Sequence, residues 1–122
     1  MLKGLGLKAL PIATRSVTPG KAVFGIGCGN DNWWQLVSGT VRSAAAETYT
    51  SSDGQEISGR LINATVPVNP GDSGGGLMSR SGELLGIMVS YRKDLNSVSK
   101  SVDSSEIRAF ISDIRKLRKE EP

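Results

Sequence analysis

Between Lys21 and Val102 the apolar residues come in short runs separated by Gly, Asn, Asp, Ser and Pro, and no run holds a helical spacing. That pattern is one of successive strands and turns, and it restricts the segment to β structure. It predicts strands over 22–26, 35–41, 56–63, 76–79, 84–90 and 97–102. Turn chemistry agrees with these divisions: Thr18-Pro19-Gly20 precedes the first strand, Ser52-Asp53-Gly54 the third, and Arg80-Ser81-Gly82 joins the fourth and fifth as a hairpin. The 15 glycines of the chain suit tight turns and argue against a helix bundle. Helical spacing begins only after the last strand, where Ile107, Phe110, Ile111, Ile114 and Leu117 recur on one face. Asp103 is placed to cap that helix, and Glu106, three residues later, to close a capping box. The expected architecture is all-β: a small six-stranded antiparallel barrel with a C-terminal α-helix, closure leaving no strand edge exposed.

At 122 residues the chain has room for one domain and one modest core. Cys28 is the only cysteine, so no internal disulfide can form and packing must hold the fold. A metal site is not expected, because scattered carboxylates without cysteine clusters or histidine make no hydrolytic centre, and no cofactor motif is present. The net charge is +3, but Arg108, Arg115, Lys116, Arg118 and Lys119 crowd the last fifteen positions. The closing Arg115, Lys116, Arg118 and Lys119 suit the negative end of a helix dipole, so neither nucleic acid nor membrane is expected as a partner. Lys8 interrupts the apolar N-terminal run before it reaches signal-peptide length. No stretch approaches the roughly 18 apolar residues that span a bilayer, and the compartment is left open.

The chemistry lies in Asn69-Pro70-Gly71-Asp72-Ser73-Gly74-Gly75-Gly76-Leu77. A serine nucleophile in acyl transfer must stand on a sharp turn, with its hydroxyl toward the carbonyl and backbone N–H groups around the developing oxyanion. Pro70 stiffens the approach, Gly71 admits a substrate close to the backbone, and Gly74, Gly75 and Gly76 turn the chain into the next strand. Ser73 is the candidate nucleophile, and the N–H groups of Gly71 and Ser73 are the candidate oxyanion hole. A Gly-x-Ser-x-Gly also occurs in the α/β-hydrolase elbow, but that elbow leads into a long helix, whereas Leu77 begins a short strand that turns at Gly82 into another.

Gly71-Asp72-Ser73-Gly74-Gly75 followed by Gly82-Glu83-Leu84-Leu85-Gly86-Ile87 resembles the second barrel of trypsin-like serine peptidases. The segment 62–77, INATVPVNPGDSGGGL, is especially similar to the bacterial, disulfide-free branch that includes the high-temperature-requirement proteases. The resemblance extends outward. Residues 7–13 look like the linker between two barrels, 17–27 like the first strand after it, 38–41 like the next strand, and 101–110 like the closing strand and helix. It implies a Greek-key barrel over residues 17–122, preceded by a linker remnant over 1–16, and it implies endopeptidase activity on a polypeptide substrate through an acyl-enzyme. It further implies a primary specificity pocket with Pro67 at its base and Met88, Val89 and Ser90 along its wall, suited to a small or medium apolar side chain. Asp72 takes the place of an aspartate that is buried in the animal enzymes of the family, and Gly74 and Gly75 shape the loop.

The family draws its catalytic histidine and aspartate from the first barrel, and this sequence contains no histidine. The chain alone is therefore expected to be inactive, completed by a first barrel in cis or in trans. A serine–lysine dyad would need Lys93 or Lys100, which stand among polar residues where an amine is not desolvated. The competing class is a non-catalytic pseudoprotease that binds an extended peptide by strand addition. An extracytoplasmic location is common in the family. Of Trp33 and Trp34, one is expected to point into the barrel and the other across the face where a first barrel would dock.

Overall fold

The computed structural model describes residues 6–28, 34–50, 53–68, 71–92 and 95–120. Six strands form where the apolar runs predict them: β1 (Ala22–Gly27), β2 (Gln35–Thr50), β3 (Glu56–Ala64), β4 (Gly76–Ser79), β5 (Leu84–Arg92) and β6 (Leu95–Asp103), followed by α1 (Ser104–Glu120). All pair antiparallel and close into a barrel in the order β1-β2-β3-β6-β5-β4. The sequence neighbours β1, β2 and β3 lie side by side, and β4, β5 and β6 return in reverse order, which is the Greek-key arrangement.

Alternation along the strands aims Val23, Val41, Ile62, Ala64, Leu77 and Met88 into one interior cluster, each at most 2% exposed. Removing such side chains from water contributes about 1.5–3 kcal/mol for each of the larger ones. The hairpin from β4 to β5 is fixed by Ser79 N–H to the Glu83 carbonyl (2.9 Å) and Gly82 N–H to the Ser79 carbonyl (3.1 Å). Ahead of β1, the segment carrying Ile12 runs parallel to Leu84 of β5, with Ala13 N–H bonded to the Leu84 carbonyl and Leu84 N–H to that of Pro11. Ala13 is itself buried in the core cluster, so barrel packing begins within the segment before residue 17.

Two elements differ from the sequence expectation. The second strand continues from Val41 to Thr50, past a bulge at Arg42, because β3 offers it a continuous ladder from Val41↔Ala64 to Thr50↔Glu56. The helix is capped by Asp103, whose Oδ2 accepts from Ser105 N–H (3.0 Å) and Ser105 Oγ (2.7 Å). Glu106 does not close a capping box. Its Oε1 accepts the N–H of Arg60 in β3 at 2.9 Å, tying the first turn of α1 to the sheet. Arg108 donates to the Ala13 carbonyl from the same turn region. Beyond Ile111 the helix is exposed throughout, and Phe110 and Leu117 of the apolar stripe stay in solvent. No helix among the described residues is long and apolar enough to cross a membrane.

Candidate active site

The strand order dictates where the loop carrying Ser73, the candidate nucleophile, sits. β3 lies between β2 and β6, whereas β4 lies between β1 and β5, so residues 65–75 must cross one end of the barrel. Thr65 starts the crossing with its N–H on the Thr40 carbonyl and its Oγ1 accepting the Thr40 N–H, both at 2.9 Å. Val66 and Val68 then plug the barrel end, 0% and 4% exposed. The loop turns at Gly71 (φ +101°) and Gly74 (φ +91°), conformations that cost an L side chain about 1–3 kcal/mol.

Between these two glycines the side chains part: Asp72 is 4% exposed and Ser73 faces solvent. Three backbone bonds fix this geometry, from Gly75 N–H to the Asp72 carbonyl (3.0 Å), Gly74 N–H to the Met88 carbonyl (2.7 Å) and Met88 N–H to the Gly75 carbonyl (2.9 Å). The loop is thereby stitched to β5, next to the pairing of Gly76 with Ile87. Ser73 Oγ reaches over the same strand and donates to the Val89 carbonyl at 3.3 Å. A carbonyl oxygen accepts that bond but cannot take the proton, so the contact orients the hydroxyl without activating it.

The residues predicted around Ser73 fall into distinct places. Pro67 is exposed on the crossing segment, and Val89 is half-buried on β5. Met88 is 1% exposed and turns its thioether into the core, where Cε packs over Gly75, while its backbone bonds the loop. The Ser90 side chain, Lys93 and Trp33 lie outside the described residues. Trp34 is 80% exposed with a left-handed φ of 61°.

Lys100 is committed elsewhere. Its Nζ bonds Glu47 Oε2 at 2.7 Å and Asn63 Oδ1 at 2.9 Å, and Asn63 Nδ2 in turn donates to Ser43 Oγ and to Glu47. Ser43, Asn63 and Lys100 occupy one row of paired positions on β2, β3 and β6, and Glu47 joins them from four residues further along β2. Among the described residues no group of three or more His, Cys, Asp or Glu is placed to hold a metal ion.

Sequence reasoning missed a second participant, the Gly25-Ile26-Gly27 end of β1. A Cβ on Gly75 would collide with the Ile26 carbonyl, and one on Gly27 would collide with the Asp72 carboxylate. A glycine inside a strand is the available signal for such close approach, and β1 carries two.

Comparison with known proteins identifies the family and the fold. A sequence profile of the trypsin-like peptidase domain matches residues 2–87. A "Serine protease HtrA-like" protein of Staphylococcus epidermidis is 33% identical over 85 residues, 70% of this chain and 14% of the relative. Among solved structures, the active form of the Rv3671c protease from M. tuberculosis superposes with a TM-score of 0.78 at 19% identity, covering 88% of this chain and 48% of that one. An HtrA-type protease with a decapeptide gives a TM-score of 0.75 at 19% identity, over 91% of this chain and 34% of that one. The chain thus spans about half or less of these structures and a small fraction of its curated relative. A matched profile over residues 2–87, on a closed barrel that carries Gly-Asp-Ser-Gly-Gly at its crossing loop, shows that this chain belongs to the trypsin-like peptidase family.

Proposed function

We propose that this chain is the nucleophile-bearing half of a serine endopeptidase, acting on polypeptides through an acyl-enzyme. The observation that carries the reading is Ser73 itself: exposed, on a loop bent at two left-handed glycines and stitched to β5. Ser73 Oγ attacks the scissile carbonyl, and the N–H groups of Gly71 and Ser73 receive the oxyanion, where loss of one such donor costs about 10²–10³ in kcat. The proton leaves to an imidazole on a first barrel, in cis or in trans, because this sequence has no histidine. Residues 1–16 lead from that first barrel, with Ala13 already packed into the core of the second, whose strands and helix lie within residues 17–122. Without the base, what remains is about 10³–10⁴ over the uncatalysed rate.

Topology supports a site for the substrate strand. β4 pairs with β5 only as far as Ile87 and the loop continues that pairing to Met88, so from Ser90 onward the ladder of β5 among the described residues is the one with β6. An extended peptide added antiparallel on the other side would pass Val89 and the Ser73 hydroxyl. Pro67, Val89, Ser90 and the backbone of Met88 would surround its primary side chain, offering no anionic group and so favouring a small or medium apolar residue. The reading frame preceding Met1 supplies the test: an in-frame barrel bearing His and Asp is expected, and the joined protein should cleave peptides in a Ser73-dependent way. A joined protein that cleaves equally well with Ser73→Ala would sink the reading.

A further inference from the structure

We propose that Gly27 of β1 is a positioning residue for the nucleophile loop: the side chain it lacks is the space in which the Asp72 carboxylate is seated. The proposal rests on Ser73 being the nucleophile only for its kinetic consequence, since the seat itself is a matter of geometry.

Alternation along β1 sets Val23, Gly25 and Gly27 on one face, and Val23 is wholly buried in the core. Two turns of that alternation later, a Cβ on Gly27 would lie 2.9 Å from Asp72 Cγ and 3.2 Å from Asp72 Cα, and would overlap Oδ1. Asp72 is 4% exposed, so its short side chain has no open space to swing into. The adjoining contacts point the same way. A Cβ on Gly25 would lie 3.1 Å from the Met88 sulfur, and one on Gly75 would lie 2.8 Å from Met88 Cε and collide with the Ile26 carbonyl. The end of β1 and the loop are therefore fitted surfaces, with Asp72 inserted between the turn at Gly71 and the strand. Ser73 follows Asp72 directly, so any withdrawal of the carboxylate rotates the peptide that carries the nucleophile and one of its oxyanion donors. A misplacement of the reacting group by about 1 Å can cost on the order of 10² in rate.

The test is a double-mutant cycle on the full chain with Gly27→Ala, Asp72→Ala and the double variant. Two readouts are followed: labelling of Ser73 by a fluorophosphonate in the presence of imidazole, and the amide NMR resonances of Gly74 and Gly75, whose N–H bonds report the loop. Gly27→Ala is expected to slow labelling by about tenfold or more and to shift both resonances. In the Asp72→Ala background the same substitution should do little, because the colliding atoms are gone. Equal effects in both backgrounds, or none in either, would overturn the proposal. If Gly27→Ala alone fails to fold, folding of the double variant supports the seat, and failure of both overturns it as a general defect of β1. If Ser73 is labelled in no variant, the peptidase reading fails, while the resonance cycle still decides the role of Gly27.

Discussion

Met88 separates two roles that a side chain near Ser73 could play, wall of a substrate pocket or part of the core. The structure turns its thioether inward: the residue is 1% exposed and belongs to the interior cluster with Val23, Ile62 and Leu77. Its Cε and Sδ fill the space over Gly75 and Gly25. Truncation to alanine leaves a cavity at that point, and Met→Ala in a closed core costs about 2–5 kcal/mol. Met88→Leu nearly conserves the volume and should cost less than about 1.5 kcal/mol. With urea slopes of about 1–3 kcal/mol per molar for small domains, Met88→Ala should lower the unfolding midpoint by about 1 M or more. Urea titration followed by circular dichroism measures this directly. A Met88→Ala unfolding free energy within about 0.5 kcal/mol of the parent would refute the placement, and would return Met88 to the surface as a pocket wall.

Asp103→Ala should destabilise the chain by about 1–2 kcal/mol through loss of the cap on Ser105, whereas Asp103→Asn, still a capping residue, should retain most of that stability in thermal unfolding. Lys100→Ala leaves Glu47 and Asn63 without their shared ammonium and should cost about 1–3 kcal/mol in urea unfolding. Imidazole-assisted labelling of Ser73 should be unchanged in Lys100→Ala; a parallel loss of labelling would revive the serine–lysine dyad. Gly71→Ala forces a side chain into φ near +101° and should cost about 1–3 kcal/mol, read by denaturation, together with most Ser73 labelling.

The strands and the loop were legible because each carries a local signal. Short apolar runs bounded by turn residues mark Ala22–Gly27 and Leu84–Arg92, and the Gly-Asp-Ser-Gly-Gly run announces a bend that glycine tolerates. The far half of β2 was not legible. Ala44, Ala45, Ala46 and Glu47 have helix-forming propensity, and they are held extended by the ladder to β3, a tertiary partner that local sequence does not contain. Glu106 was misassigned for a related reason. Its spacing from Asp103 fits a capping box, but the Arg60 amide at the adjacent β3 competes for the same carboxylate and takes it. The seat at Gly27 is a contact between residues 45 positions apart, and a glycine in a strand announces close approach without naming the neighbour.

Under the proposed function, Ser73 is a peptidase nucleophile whose histidine base and aspartate lie on a first barrel. Because the missing group is an imidazole, free imidazole can stand in for it, and mass spectrometry can locate the adduct formed by a fluorophosphonate. Negligible labelling of the chain alone is expected, with labelling that rises with imidazole concentration and maps to Ser73, and none in Ser73→Ala. Labelling that ignores imidazole, or that is equal in the parent and in Ser73→Ala, would contradict it.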